Sequence, residues 1–142
     1  MNNTEYKIEK VENQTDIIQF LDDRIYDFNS SAINQHDGEL FTKVIRNEDG
    51  KIIAGISGWK WATISEITLL WVEEGKRKNG LGLNLLQAVE EELMKEGCKT
   101  ILLRSYSFQA PFFYERNGYK IVYVLDDFPK KYKHYTLVKR IT

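Results

Sequence analysis

The sequence predicts an α/β fold built on a mixed central sheet of about seven strands with helices on both faces. Residues 63–72 and 100–104 are apolar, strand-like runs separated by a helical repeat. This strand–helix–strand order predicts that the two strands lie parallel to each other in the sheet. Residues 39–61 instead form two strand-like runs around an Asn-Glu-Asp-Gly turn at 47–50, which indicates an antiparallel hairpin. A chain of 142 residues suits one domain, so we expect residues 1–142 to fold as a single unit.

The first elements follow from their periodicity. Residues 4–11 alternate polar and apolar side chains, which is typical of an opening strand. Residues 14–29 repeat apolar side chains at helical spacing and predict a helix; these are Ile17, Leu21, Ile25 and Phe28.

The second half carries two helices and three strands. After a glycine-rich stretch, a leucine stripe predicts a helix that ends near Gly97; the stripe consists of Leu81, Leu85, Leu86, Val89 and Leu93. A short helix is expected between Pro111 and the Asn117-Gly118 pair. Strands are expected at residues 119–125 and 134–141.

Composition narrows the function classes. The formal net charge is −1, so we expect no nucleic-acid partner. No apolar run reaches the about 20 residues of a membrane span, and the polar N-terminus lacks a secretory signal pattern. Cys98 is the only cysteine, so an intramolecular disulfide is excluded, which fits a cytoplasmic protein. His36 and His134 are isolated, and we expect no metal site.

Residues 75–82, Gly-Lys-Arg-Lys-Asn-Gly-Leu-Gly, lie between a predicted strand and a predicted helix. A helix start leaves backbone N–H groups unpaired, and glycines allow an anion to approach them. Lys76, Arg77 and Lys78 add positive charge. A solvated basic helix cap would explain the same residues. The stretch matches neither a P-loop nor a dinucleotide fingerprint.

The stretch does contain Arg-x-x-Gly-x-Gly, formed by Arg77, Gly80 and Gly82, and residues 113–119 read Phe-Tyr-Glu-Arg-Asn-Gly-Tyr. In both motifs the sequence resembles the GNAT N-acetyltransferase superfamily. The resemblance extends from about residue 39 to residue 142. Lys78 departs from the pattern, because many members have glycine there.

The resemblance implies a splayed sheet that binds acetyl-coenzyme A. The pyrophosphate would bind the backbone of residues 77–83, which are Arg77, Lys78, Asn79, Gly80, Leu81, Gly82 and Leu83. The pantetheine arm would bind the strand end like an added strand, at Leu70, Trp71 and Val72. Many members contact the coenzyme through an asparagine several residues before the tyrosine of the second motif. In this sequence Ser107 lies near that position.

Glu66 and Tyr114 are the candidate catalytic residues. Glu66 lies 14 residues before Gly80, where histone-type members have a catalytic glutamate, and simple alternation places it on the same strand face as Leu70 and Val72. It would act as general base. Tyr114 matches the family's general-acid tyrosine and would assist the leaving thiolate. A strand-end carboxylate and an aromatic core stripe are the respective structural alternatives.

The expected function is therefore an N-acetyltransferase. The acetyl group of acetyl-coenzyme A would pass to a primary amine by direct attack in a ternary complex, and the acceptor would be a small-molecule amine or a peptide amine. The alternative is a GNAT-fold protein that binds coenzyme A without turnover, as a sensor or partner subunit. A homodimer through the exposed edge of a C-terminal strand is also compatible with the sequence.

Overall fold

The structure, a computed structural model, describes residues 5–141 and separates into two compact units, one ending at His36 and one beginning at Asp37. The first unit contains helix α1 (Gln14–Ile33), which ends at Asn34 in the left-handed conformation with φ 52°. The predicted opening strand is wrong for residues 5–11, which form no strand; residue 4 lies outside the described residues. Alternation alone does not make a strand without a neighbour to pair with.

The second unit is a six-stranded sheet with two α-helices. Its elements are β1 (Glu39–Arg46), β2 (Ile52–Trp61), β3 (Ile64–Val72), a 3₁₀ turn (Glu74–Lys76), α2 (Leu81–Lys95), β4 (Thr100–Tyr106), α3 (Pro111–Arg116), β5 (Lys120–Leu125) and β6 (His134–Arg140).

The sheet is mixed, as the sequence predicts. Its strand order is β1-β2-β3-β4-β6-β5. β3 and β4 are parallel because α2 connects them, and every other neighbouring pair is antiparallel. The described residues contain six strands, against about seven expected. Helices on both faces stay a prediction, because α1 belongs to the other compact unit. No helix within residues 5–141 is long and apolar enough to cross a membrane.

Helix α2 packs against β1, β2 and β3 through the predicted leucine stripe. Its buried apolar residues are Leu85, Leu86, Val89 and Leu93, and they meet core residues of the sheet such as Ile56, Ile67 and Ile101. The chain leaves the helix at Gly97, whose φ of 87° favours glycine.

A buried polar group connects α2 to the C-terminal strands. The Tyr119 hydroxyl donates to Glu90 Oε2 at 2.8 Å, and Lys139 Nζ lies 3.0 Å from the same oxygen. Burial and the neighbouring Glu90 carboxylate raise the pKa of Tyr119 above its ordinary value. The phenol therefore stays protonated and acts as a structural donor.

A β-bulge interrupts β3 at Thr68. Ser57 of β2 pairs with Leu69, but the next residue, Gly58, pairs with Ile67, so Thr68 is an extra residue. Its hydroxyl donates to Ser57 O at 3.2 Å. A Cβ atom at Gly58 would lie 2.2 Å from the carbonyl oxygen of Glu66. The bulge therefore requires glycine at this position.

The bulge reverses the alternation of β3. Before it, Ile67 faces the core beneath α2; after it, Leu70 and Val72 pack on that same core. Glu66, one residue before Ile67, therefore points to the opposite face, beside its cross-strand neighbour Trp59. The expectation that Glu66 shares a face with Leu70 and Val72 is wrong, because one extra residue inverts the period of two.

β3 and β4 separate immediately after the bulge begins. They pair only from Ile64 opposite Thr100 to Ile67 opposite Leu103. Beyond this point, β3 continues along β2 to Val72, whereas β4 continues along β6 to Tyr106. The splayed sheet that the resemblance implies is thus present, and the gap between its strands opens beside α2.

We expect Gly58→Ala to destabilise the protein by about 2 kcal/mol or more, because the new methyl group would collide with backbone at the bulge. Chemical denaturation measures this free energy. Gly55→Ala is the control on the same strand, since its Cβ would meet Val44 Cγ1 at 3.4 Å, an ordinary contact. Equal stability of the two variants would contradict the proposed role of Gly58.

Candidate active site

A cavity of about 940 Å³ occupies the gap between β3 and β4 and extends to the start of α2. Most of the predicted site residues line it: Leu70, Trp71, Val72, Arg77, Lys78, Gly80, Leu81, Gly82, Leu83 and Tyr114. Glu66, Asn79 and Ser107 lie outside its lining. Predicted residues that are distant in sequence, on β3, the glycine-rich stretch, α2 and α3, therefore meet at one cavity.

The glycine-rich stretch takes a backbone shape that exposes N–H groups to the cavity. Gly80, the N-cap residue of α2, has φ 77° and no side chain that could accept a hydrogen bond from the first turn. Lys78 is also left-handed, with φ 69°. This conformation explains why many members of the superfamily have glycine there, and it costs a lysine about 1–2 kcal/mol.

Gly82 lies where the cavity passes between β3 and α3. A Cβ atom on Gly82 would meet Val72 Cγ2 at 3.6 Å and Phe113 Cζ at 3.9 Å, which are ordinary contacts. A methyl group would therefore fit, whereas a large side chain would fill the passage. The absence of a side chain keeps this part of the cavity open.

The cavity wall is strongly cationic. Its charged residues are Lys76, Arg77, Lys78, Arg104 and Arg116, and no aspartate or glutamate is among the lining residues. Arg77 Nε donates to Val72 O at 3.0 Å, which fixes its guanidinium at the end of β3. Together with the positive end of α2, these groups favour an anionic ligand.

One edge of β3 faces the gap without a strand partner. The amide of Glu73 donates to Ile53 O on β2 at 2.8 Å. Because backbone groups alternate along a strand, those of Val72 and Leu70 point the other way, into the gap. Arg77 donates to the Val72 carbonyl. Within the described residues, this leaves the amide and the carbonyl of Leu70 both facing the cavity and free for a ligand.

Tyr114 lies on the α2 side of the gap. Its ring packs edge-on against Phe113 and Tyr119, with centroid separations of 5.2 and 5.9 Å. Burial raises the pKa of Tyr114 to about 12. At neutral pH its hydroxyl therefore remains a hydrogen-bond donor.

Glu66 lies one residue before the cavity wall, on the face away from α2. Its Oε2 atom is 3.2 Å from Nη1 of Arg104, and its side chain is only 17% exposed. Arg104 itself lines the cavity. The carboxylate is thus close to the gap and is held by a guanidinium whose residue lines the cavity.

Ser107 lies outside the cavity lining. Its hydroxyl accepts a hydrogen bond from the amide of Lys133 at 3.0 Å, and its own amide donates to Lys133 O at 2.8 Å. These bonds connect the loops that flank β4 and β6. A contact between Ser107 and the coenzyme stays a prediction.

Sequence reasoning missed Arg104 and Phe108, which both line the cavity. Arg104 ends an apolar run, and a cation at the end of a predicted central strand is a pattern that could have marked it as a candidate site residue. Phe108 follows the strand in a loop, where an aromatic residue has no periodicity to mark it. Among residues 5–141 no group of three or more His, Cys, Asp or Glu residues is placed to hold a metal ion.

Comparison with known proteins agrees with this arrangement. Residues 5–119 match the family model described as the acetyltransferase (GNAT) family. The blasticidin-S acetyltransferase of Streptomyces morookaense is 33% identical over 107 residues, which are 72% of this chain and 76% of that protein.

Solved structures show the same fold. The crystal structure of an acetyltransferase from Bacillus cereus superposes with a TM-score of 0.78 at 33% identity, over 95% of this chain and 97% of the other. An aminoglycoside 6′-N-acetyltransferase solved with coenzyme A has a TM-score of 0.65 at 23% identity, over 73% and 74% of the two chains. The family match, the relatives and the splayed sheet agree: the chain belongs to the acetyltransferase (GNAT) family.

Proposed function

We propose that this acetyltransferase moves the acetyl group of acetyl-coenzyme A to a primary amine by direct attack in a ternary complex. The observation that carries the proposal is the gap between β3 and β4, which runs from Tyr114 to the cationic, glycine-rich start of α2. A long ligand with an anionic end and a thioester end matches these two ends. The amine nitrogen bonds to the acetyl carbon, the carbon–sulfur bond breaks, and nitrogen loses a proton.

The residues fit coenzyme A. Backbone N–H groups of residues 77–83 and the surrounding cations would hold its pyrophosphate, and the open Cα of Gly82 gives it room. Leu70 presents an unpaired amide and carbonyl, which suit the amide groups of a pantetheine arm that binds like an added strand. The relative solved with coenzyme A supports this choice.

Tyr114 would stabilise the departing sulfur by hydrogen bonding. A phenol with a pKa of about 12 is a weaker acid than a thiol, whose pKa is about 8.5. Complete proton transfer to the sulfur would therefore be uphill. A donor aimed at the charge that develops on sulfur lowers the barrier without such a transfer.

Glu66 is our candidate for the residue that receives the proton of the amine. An alkyl amine with a pKa near 10.4 costs about 4–5 kcal/mol to deprotonate at pH 7, so a nearby base assists the reaction. No carboxylate lines the cavity, and Glu66 is one residue from its wall. Because the Glu66 carboxylate pairs with Arg104 and does not line the cavity, a water molecule would relay the proton or Arg104 would move aside.

The acceptor that we propose is a small-molecule amine, with a peptide amine as the second choice. The relatives named for blasticidin-S and for aminoglycosides support the small-molecule class. Coenzyme A release from acetyl-coenzyme A in the presence of an amine panel tests turnover. Binding of the coenzyme without release for any amine would instead favour the sensor or partner-subunit alternative.

Gly82→Trp should abolish acetyl-coenzyme A binding, because the indole would fill the passage between Val72 and Phe113. Calorimetric titration measures the loss, which we expect to exceed about 100-fold in affinity, or about 2.7 kcal/mol. Gly75→Trp is the matched control, since Gly75 has open space around it and does not line the cavity. Unchanged affinity in Gly82→Trp would remove the basis for this coenzyme site.

Tyr114→Phe should lower kcat by about 100-fold with little change in coenzyme affinity, the usual cost of removing one donor to developing charge. Because burial raises the pKa of Tyr114 to about 12, the phenol stays protonated up to that pH. The variant should thus lose the same factor at pH 7 and pH 10. Tyr123→Phe, at an exposed strand position, is the control; a wild-type kcat in Tyr114→Phe would exclude the role.

Glu66→Gln should lower kcat/KM at neutral pH by about 100-fold or more, since the amide cannot accept the proton. Steady-state kinetics at pH 7 provide the measurement. Glu73→Gln, whose carboxylate pairs with Lys51 instead, serves as control. An unaltered kcat/KM in Glu66→Gln would indicate that water or the substrate itself supplies the base.

A further inference from the structure

Five rings form an aromatic platform beside the cavity, at the end of β4, at the start of β6 and in the loops next to these strand ends. Its members are Tyr106, Phe108, Phe128, Tyr132 and His134. Tyr106 and Phe108 stack in parallel, with ring centroids 5.2 Å apart and planes within 4°. His134 lies 4.5 Å from the Tyr106 ring, and Tyr132 meets Phe108 edge-on at 5.2 Å. The platform is continuous.

The loops that carry the platform are held together by hydrogen bonds. The two bonds between Ser107 and Lys133 join one loop to the other. The amide of Tyr106 donates to Gln109 Oε1 at 2.7 Å, and the amide of Phe128 donates to Tyr132 O at 2.9 Å. The rings are therefore positioned before any ligand binds, which lowers the entropy cost of binding.

The platform is not ordinary core. The side chains of Phe108, Phe128 and Tyr132 are 57%, 46% and 37% exposed, and exposed apolar clusters commonly mark binding sites. Phe108 lines the same cavity as Tyr114 and Arg104. Tyr106, on which it stacks, lies on the face of β4 that carries Arg104, away from α2. The platform thus borders the side of the gap opposite Tyr114.

Resting on the acetyl-transfer function proposed above, we propose that the platform binds a planar, unsaturated ring of the acceptor amine through the open face of Phe108. An aromatic or heteroaromatic ring would stack on this preformed surface while its amine reaches the gap. The platform itself borders cations: Lys131 Nζ lies 5.7 Å from the Tyr132 ring centroid. A neutral planar ring therefore suits the platform better than a second cationic group.

Two amines with the same linker, one with a planar ring and one with a puckered ring, test this inference. They are 2-phenylethylamine and 2-cyclohexylethylamine, of which the cyclohexyl compound is the more hydrophobic. Because the phenyl compound is the weaker base, kcat/KM is compared per concentration of neutral amine. Stacking predicts that the wild-type enzyme prefers the phenyl compound by about tenfold, both in kcat/KM and in direct calorimetric binding. Hydrophobic burial alone would give the opposite preference.

Variants show whether Phe108 causes the preference for the phenyl compound. Phe108→Leu should abolish it and Phe108→Trp should retain it, whereas Phe112→Leu, an exposed phenylalanine outside the cavity lining, should leave it unchanged. Thermal melts of each variant confirm folding. Equal binding of both amines to the wild type, binding of neither, or a preference that survives Phe108→Leu would each overturn the inference.

The same experiment separates this inference from the acetyl-transfer proposal. Amine binding is measured on the protein alone and on its complex with coenzyme A, so it does not depend on turnover. Acetyl-coenzyme A binding with no phenyl preference refutes the platform and leaves the proposed function standing. Phenyl-selective amine binding without coenzyme binding or coenzyme A release refutes the proposed function instead.

Discussion

The extra residue at Thr68 is the constraint on which the rest of the site depends. It exists because Gly58 lets the carbonyl of Glu66 approach the opposite strand to a distance that any side chain would prevent. The bulge twists β3 away from β4, and pairing between the two strands ends at Ile67. A local contact between two backbones thus opens the central sheet.

The opened sheet leaves backbone groups without hydrogen-bond partners, and a ligand can supply those partners. Backbone groups at the end of a central strand are normally paired, and leaving them unpaired in an apolar interior costs free energy. Here Leu70 faces the gap, and the start of α2 leaves further amides free behind Gly80. A ligand that supplies acceptors to both places recovers this cost. The fold is thereby shaped for an extended molecule with an anionic end.

The sequence predicts those parts of the structure in which a local pattern decides the outcome. The leucine stripe of α2, the hairpin turn at Gly50 and the helix stop at Asn117 all appear as expected. Ten of the thirteen predicted site residues line the cavity. The face predicted for Glu66 is wrong, however, because the pattern of residues 63–72 does not reveal the bulge. The bulge depends instead on a tertiary contact, the close approach of Gly58 to the carbonyl of Glu66.

The platform escapes sequence analysis for a related reason. Tyr106 ends β4 and Phe108 lies in the loop after it, whereas Phe128 and Tyr132 lie in the loop before β6, so their proximity depends on the pairing of β4 with β6. For residues 5–11 the strand prediction fails for the opposite reason. Their pattern is regular, but no neighbouring strand pairs with them. Tertiary pairing overrides local pattern in both cases.

The bulge also places the candidate catalytic residues on opposite faces of the sheet. Tyr114 packs with the core on the α2 face, whereas Glu66, Arg104 and the aromatic platform belong to the opposite face. In acetyl transfer the incoming nitrogen loses a proton while negative charge develops on the departing sulfur, so a base and a hydrogen-bond donor act on different atoms of the tetrahedral intermediate. A strand with unbroken alternation would place Glu66 on the face of Leu70 and Val72. The single inserted residue thus places the candidate base on the other side of the gap from the candidate donor to sulfur.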